Sequence, residues 1–179
     1  RINIGLLNRI IIDDVLLDDQ SGQEMLKVTR LSAKFDIMPF FKGKISISSV
    51  QLFGFNINLR KETPDSPPNF KFVLDAFASK DTVKKENSLD LRINSILIRR
   101  GRMAYHVLSE EETPGKFNAK HIQLQNIIAN ISLKALSKDS LNLGIKRLSL
   151  DEKASGFSLK KMSLKLVANN KQTNIDNFT

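Results

Sequence analysis

Residues 45–57 read Ile45-Ser-Ile47-Ser-Ser-Val50-Gln-Leu52-Phe-Gly-Phe55-Asn-Ile57, and this stretch decides the fold. Its apolar residues stand at i, i+2, i+5 and i+7, with polar residues between most of them. At about 100° per residue these positions would point towards roughly 0°, 200°, 140° and 340° on a helix, so they share no helical face. On a β-strand the two members of each pair share a face, because side chains alternate. The spacing therefore predicts a strand.

The same spacing occurs seven times along the chain, which is typical of a repeat architecture. The copies are Ile10, Ile12, Val15, Leu17; Leu26, Val28, Leu31, Ala33; Ile45, Ile47, Val50, Leu52, continuing to Phe55 and Ile57; Leu91, Ile93, Ile96, Ile98; Phe117, Ala119, Ile122, Leu124; Leu143, Ile145, Leu148, Leu150; and Phe157, Leu159, Met162, Leu164. We expect these residues, the two alanines aside, to line one apolar groove together with Ile127.

Each copy contains a step in phase, because its two apolar pairs would fall on opposite faces of a regular strand. A β-bulge, which inserts one extra residue, would return both pairs to one face and bend the strand. Seven such bulges would curve the sheet in the same way along its length. The alternative is that each strand swaps faces midway, and the sequence leaves both possibilities open.

Turn-forming residues separate several copies and predict long antiparallel strands. The segments 18–23, 110–115 and 151–156 are rich in Asp, Glu, Ser and Gly, the residues that favour turns. The 16 residues of 45–60 contain no Pro and would span roughly 50 Å as one strand.

One region, 63–88, interrupts this pattern and divides the chain. Its first six residues, Thr-Pro-Asp-Ser-Pro-Pro, break regular structure. Asn69 is then expected to N-cap a short helix near 69–78, followed by a loop. The apolar stripe of that helix should pack on the sheet or plug one end; its residues are Phe70, Val73, Leu74 and Phe77.

The chain as a whole, 1–179, is expected to be a single fragment of a longer repeat protein. Within it, 1–62 should hold the first β-hairpins and a crossover near Pro39, and 89–170 should hold further long strands.

Composition narrows the functional classes. The chain has a net charge of +9, 23 Leu and 18 Ile, two His and no Cys. It is too apolar for a disordered basic tail, and the lack of Cys excludes disulfides and thiolate chemistry. The segment 116–171 carries 11 basic and 3 acidic residues. We interpret this surplus as a solvated polar face.

The sequence offers little catalytic chemistry, so we expect a protein that is not an enzyme and has no cofactor or metal. Its eight Gly form no phosphate-binding loop. His106 and His121 lack a zinc-ligand spacing. Residues 110–112 are three Glu that could join His106, but a charged hairpin tip explains them better. The Asp pairs at 13–14 and 18–19 are likewise interpreted as solvated turn residues.

The densest basic cluster comprises Arg99, Arg100 and Arg102. Binders of single-stranded nucleic acid combine such residues with exposed aromatic rings, whereas the Phe residues here mostly occupy apolar repeat positions. We expect no nucleic-acid partner. A solvent-exposed strand end is the simplest interpretation of the cluster, and contact with lipid head groups or a partner protein is the alternative.

Several stretches resemble the AsmA/TamB superfamily. The unit at 45–55 is similar to the strand motif of these proteins, as are 13–22 and 26–36. The segment 35–43, Phe-Asp-Ile-Met-Pro-Phe-Phe-Lys-Gly, is especially similar, and 69–77 resembles the short helix that follows in TamB-like proteins. The resemblance covers residues 10–78; over 90–170 only the repeat supports it.

The resemblance implies a fold and a role. The fold is a mainly β protein in which a long, curved antiparallel sheet forms a taco-like trough with an apolar inner face. Such proteins are anchored in the inner membrane of Gram-negative bacteria and cross the periplasm. They act with outer-membrane assembly factors in outer-membrane biogenesis. The expected cargo is the acyl chains of phospholipid or unfolded outer-membrane protein.

Two classes of function therefore compete. The first is an apolar groove that conducts or chaperones lipid or outer-membrane protein. The second is a structural or adhesive β-repeat module with a dry core and no ligand.

Overall fold

The computed structural model describes residues 1–5, 8–36, 47–78, 93–137, 140–169 and 172–179. The elements of these residues, in chain order, are β1 (Ile2–Gly5), β2 (Arg9–Asp18), β3 (Glu24–Phe35), β4 (Ile47–Lys61), α1 (Lys71–Ala78), β5 (Ile93–Val107), β6 (His121–Ser137), β7 (Ser140–Glu152), β8 (Ser158–Asn169) and β9 (Thr173–Asp176).

All nine strands belong to one sheet, and they lie in it in sequence order from β1 to β9. The sheet is curved and unclosed, since β1 and β9 are its two edges. This confirms the predicted fold class of a mainly β protein with one long curved sheet and one short helix. The strands β2 to β8 are 10 to 17 residues long, well above the usual length of about 5–6.

The antiparallel prediction is wrong for one pair of neighbours. β4 and β5 run parallel, while the other neighbouring pairs that the structure describes are antiparallel. Parallel neighbours need a long crossover that returns the chain to the starting end of the sheet. The 31 residues between Lys61 and Ile93, which include α1, provide that crossover.

A row of left-handed residues crosses the middle of the sheet. Asp14, Gly54, Arg100 and Asn126 have φ between 54° and 65°, a conformation that interrupts the alternation of side chains in a strand. Register places these four residues in line on β2, β4, β5 and β6, with Thr29 of β3 between the first two. Asp14 and Gly54 both lie opposite Thr29, Gly54 lies beside Arg100, and Asn126 is next to the partner of Gly101.

This row accounts for the phase step in β2, β4, β5 and β6, whereas β3, β7 and β8 have no left-handed residue. The pairing of β2 with β3 keeps one register on both sides of Asp14, from Asp13↔Arg30 to Val15↔Val28. No residue is inserted there, so the left-handed residue itself takes up the step. Between β5 and β6 the register also shifts near Gly101, as a bulge would require.

The left-handed residues also show where the copies begin in the strands. They stand at i+4 of copies that begin at Ile10, Val50, Ile96 and Ile122. The predicted third copy continues to Phe55 and Ile57 and so contains the one that begins at Val50, whereas the fourth and fifth begin five residues later than Leu91 and Phe117. Overlapping copies look alike because the internal offset of the pattern is itself five residues.

A close approach fixes Gly101 in this middle region. Gly101 is buried, and a Cβ built on it would lie 2.2 Å from the Phe55 ring. Since Phe55 is 7% exposed and packed in the core, the ring has little room to move. The glycine thus makes space for the largest buried side chain at the centre of the sheet.

The predicted helix is confirmed, but its predicted N-cap is wrong. α1 begins at Lys71. The Asn69 side chain instead accepts a hydrogen bond from the Arg60 backbone N–H at 3.0 Å and donates to Asp19 Oδ2 and the Asn58 carbonyl. Asn69 therefore fastens the crossover to the end of β4. Phe70 and Val73 are half-buried, whereas the side chains of Leu74 and Phe77 lie outside the described residues.

Other predictions fall partly outside the described residues. These are the crossover at Pro39, the loop 79–88, and the repeat positions Ile45 and Leu91. Phe117 and Phe157 lie in the connections before β6 and β8, outside the strands, and are 64% and 56% exposed. The short edge strands β1 and β9 lie outside the predicted copies.

We predict that Asp14→Gly leaves the free energy of unfolding nearly unchanged or raises it. A left-handed conformation costs a non-glycine residue about 1–2 kcal/mol, somewhat less for Asp, and glycine removes that cost. The matched control is Asp18→Gly, at an exposed position of the same strand without a positive φ. It should lose about 0.5–1 kcal/mol. Urea denaturation measures both; equal losses would contradict the importance of the row.

Candidate functional site

The most continuous feature of the sheet is a set of aliphatic ladders that run across the strands. In one ladder each residue pairs directly with the next; it comprises Ile10, Ala33, Val50, Ile96, Ile131, Ile145 and Leu164. A second ladder lies two residues away from the first on each of β2 to β6. It comprises Ile12, Leu31, Leu52, Ile98, Ala129, Leu148 and Met162. Cross-strand neighbours of this kind are the units that stabilise a sheet.

A third ladder lies on the other side of the left-handed row. Its members are Leu17, Leu26, Ile57, Met103 and Leu124. The sequence pattern therefore predicted most ladder positions, but it missed Met103, Ala129 and Ile131. The repeat pattern itself contains two of them, since Met103 and Ala129 are the i+7 positions of the copies that begin at Ile96 and Ile122.

The ladders from both sides of the row meet in one apolar cluster. Val28, Phe55 and Ile127 form its buried centre. Leu31, Leu52, Ile98 and Leu148 pack against it from the second ladder, and Leu26, Ile57, Met103 and Leu124 from the third; Val15 and Leu150 complete it. The apolar pairs before and after the row thus share one cluster near the middle of the strands.

Away from this centre the predicted groove residues are only partly covered. Val28, Phe55 and Ile127 are buried, Ile10, Phe117 and Phe157 are exposed, and the other described members are half-buried. Among the described residues only six hydrophobic side chains are buried, and no large side chain is fully enclosed. Most aliphatic side chains of the described strands are therefore only half-covered by the rest of the described chain.

The predicted basic cluster is exposed and lies beside Phe53, an aromatic residue that was not among the predicted site residues. Arg99, Arg100 and Arg102 are all exposed. The Arg100 guanidinium lies 5.6 Å above the Phe53 ring, within the range of a cation–π contact. Phe53 is 41% exposed and lines a shallow cleft of about 550 Å³ with Arg30 and Arg99. The sequence feature that could have identified Phe53 is its position between the repeat residues Leu52 and Phe55.

Polar networks hold the ends of the strands on one side of the sheet. Asp19 is buried and accepts hydrogen bonds from the Ser21 hydroxyl and backbone and from the Gln23 backbone. The Arg60 guanidinium binds its other oxygen at 2.5 Å. The hydrogen bond from the Ser21 hydroxyl, followed by those from Gln23 and Asn69, holds the pKa of Asp19 well below its usual range, against the opposing effect of burial. Asp19 is therefore a buried structural carboxylate, and its interpretation as a solvated turn residue is wrong.

Glu152 plays the same part in the turn between β7 and β8. It is 3% exposed. Its oxygens accept hydrogen bonds from the backbone N–H groups of Gln123, Ala154 and Ser155 and from the Ser155 hydroxyl. Burial alone would raise the pKa of Glu152, but these donors, Ser155 first, lower it to about 2.

Neither the protein-family models nor the curated proteins supply a relative of the chain. Among the residues that the structure describes, no helix is long and apolar enough to span a membrane. The family assignment therefore stays a prediction that depends on the sequence motifs.

We predict that Glu152 makes the stability of the sheet sensitive to acid. Its pKa is lower in the folded chain, about 2, than in an unfolded chain, so its contribution is complete above about pH 4.5 and is lost as the pH falls towards 2. Glu152→Gln should lower the melting temperature at pH 7, and the variant should lose less stability than the wild type between pH 5 and pH 2.5. Thermal melts across this range measure both effects. Parallel pH profiles for the two proteins would contradict the assignment.

Proposed function

We propose that this chain is a non-enzymatic module that holds phospholipid acyl chains along its aliphatic ladders. One observation carries the proposal: a ladder of aliphatic residues crosses seven neighbouring strands, from Ile10 to Leu164, and its members are half-buried or exposed. Exposed apolar area of this extent marks an interaction site in a soluble domain. Acyl chains present no hydrogen-bonding group, so an aliphatic wall without polar side chains is the matching surface.

The curvature of the sheet supports the same proposal. In this proposal the ladders line the concave side of the sheet, so the curved, unclosed sheet surrounds an acyl chain further than a flat sheet would and leaves access from its edges. Because the ladders run across the strands, an acyl chain lying along them would contact one residue from each successive strand. Each CH₂ group removed from water contributes about 0.8 kcal/mol, so a few neighbouring strands suffice to hold one chain.

The biological setting follows from the resemblance to the AsmA/TamB superfamily. In this proposal the chain is a periplasmic part of a cell-envelope protein of a Gram-negative bacterium, anchored in the inner membrane by a segment outside this fragment. It serves outer-membrane biogenesis together with an outer-membrane assembly factor. Phospholipid is the cargo that the aliphatic ladders favour, and an unfolded outer-membrane protein is the alternative cargo.

We predict that purified chain carries phospholipid and that carboxylates within the ladder remove it. Ile145→Asp places a charge beside the acyl chains, where an unpaired carboxylate costs several kcal/mol, and should lower lipid occupancy at least about tenfold. Ile10→Asp, at an exposed ladder position near the edge, should give a smaller loss without threatening the fold. Native mass spectrometry with lipid extraction measures the occupancy.

The matched control is Leu16→Asp, which lies in the same strand as Ile10, is 57% exposed and is outside the ladders. It should keep its lipid. A wild-type chain without lipid, or equal losses in Ile10→Asp and Leu16→Asp, would contradict lipid binding on the ladders and favour the structural module. A co-purified polypeptide in place of lipid would favour the outer-membrane protein as cargo.

We predict that the exposed arginines contact phosphate head groups. Arg99→Gln with Arg102→Gln should weaken binding to phosphatidylglycerol vesicles, and the wild-type interaction should weaken with salt because exposed charges are screened. Lys160→Gln with Lys161→Gln removes the same charge from two exposed residues of β8 and serves as the control. Vesicle flotation measures binding. Equal losses in the two double variants would assign the effect to net charge alone.

A further inference from the structure

Two histidines that the sequence separates by 15 residues come into direct contact at one end of the sheet. His106 in β5 pairs with His121 in β6, and their Nδ1 atoms are 3.0 Å apart. The rings are tilted by 53° rather than stacked, so the contact is between nitrogen atoms and not between ring faces. Glu112, from the connection between the two strands, places a carboxylate oxygen 3.9 Å from His106 Nδ1.

A hydrogen bond defines the protonation of one of these rings. His121 is 7% exposed, and its Nε2 is 2.9 Å from the Glu110 backbone carbonyl. A carbonyl oxygen only accepts, so Nε2 must carry the proton that it donates. In the neutral imidazole Nδ1 then holds a free lone pair directed at His106. A backbone carbonyl that fixes the tautomer in this way is the usual support of a metal-binding histidine.

The distances suit a small divalent cation. Zinc binds imidazole nitrogen at about 2.0–2.1 Å, which sets two tetrahedral nitrogen ligands about 3.3 Å apart. The observed 3.0 Å separation needs to open by only a few tenths of an ångström. One ligand atom from each of His106, His121 and Glu112 lies within 4.8 Å of the others. Two imidazoles and one carboxylate form a donor set that binds zinc and its neighbours in the first transition row in preference to magnesium or calcium.

The connection that carries Glu112 is held in place from several sides. The Lys120 ammonium binds Glu110 at 2.6 Å, and the Asn118 side chain donates to the Glu111 carbonyl. The backbone N–H of Gly115 donates to the Ala154 carbonyl in the next turn of the sheet. The carboxylate is therefore presented by an ordered segment. A cleft of about 370 Å³ beside His121 and Glu112 leaves room for a water molecule as the fourth ligand.

We propose that His106, His121 and Glu112 bind one divalent transition-metal ion of the zinc class. The ion joins the end of β5, the start of β6 and their connection. It is a site of its own, separate from the aliphatic ladders, and the proposal concerns binding and assigns no reaction. The ion replaces the hydrogen bond between the two Nδ1 atoms, so the metal concentration determines which of the two arrangements predominates.

The test uses the whole chain after treatment with a chelator. Co²⁺ is the spectroscopic probe, because its visible absorption reports nitrogen and oxygen ligands in a tetrahedral site, and Zn²⁺ should displace it. Wild type should bind one ion per chain. His106→Gln and Glu112→Gln should each weaken binding at least about tenfold. Zn²⁺ at a concentration that just saturates the wild type should raise its melting temperature by several degrees and raise that of His106→Gln by clearly less.

The matched control is Glu111→Gln, the neighbouring carboxylate in the same connection, which is exposed and outside the cluster. It should bind like the wild type. His121 is left unchanged, because it is buried and its loss could unfold the strand end. No saturable binding by the wild type, or equal weakening by Glu111→Gln and Glu112→Gln, would overturn the proposal. Either result would leave only a histidine–histidine hydrogen bond and an acidic surface.

Discussion

The architecture depends on one backbone constraint, a row of left-handed residues in register across neighbouring strands. A regular strand alternates its side chains, so a run of 15 residues with apolar groups on one side would need the same spacing throughout. Asp14, Gly54, Arg100 and Asn126 interrupt that spacing at corresponding places. The interruptions lie in line across the sheet, and β3 passes between two of them with Thr29 opposite both Asp14 and Gly54. The pairing of β2 with β3 and of β3 with β4 therefore continues on both sides of the row.

The energy of this constraint is balanced by the cluster beside it. Left-handed backbone costs about 1–2 kcal/mol at a typical non-glycine residue, and Gly54 avoids the cost. Burying Val28, Phe55 and Ile127 contributes about 1.5–3 kcal/mol for each side chain, so the two effects are of similar size and the cluster offsets the row. Gly101 makes this burial possible, because the absence of a Cβ at this position lets the Phe55 ring lie against the neighbouring strand.

Local patterns in the sequence predicted the fold class, the helix and most ladder positions, because strand periodicity and turn composition are short-range properties. They did not predict what depends on pairing between distant segments. The parallel contact of β4 with β5 depends on a crossover of 31 residues between the two strands. Asn69 is a residue type that favours the N-cap position, but its side-chain oxygen instead accepts a hydrogen bond from the Arg60 backbone N–H. His106 and His121 come together only because β5 and β6 pair in one particular register.

The parallel contact also determines where the polar chemistry lies. Since β4 and β5 run the same way, Lys61 and Val107 end side by side, and the connection after β5 donates backbone hydrogen bonds to Lys61 and Glu62. Arg60 with Asp19, the histidine pair, and Glu152 therefore lie along the same end of the sheet. The two seven-residue ladders cross the strands on the opposite side of the left-handed row. A metal ion bound at this polar end would fix the strand ends without touching a ladder residue. The two proposed ligands, lipid on the ladders and a metal ion at the polar end, would therefore occupy separate parts of the sheet, so Glu112→Gln should weaken metal binding while leaving lipid binding intact.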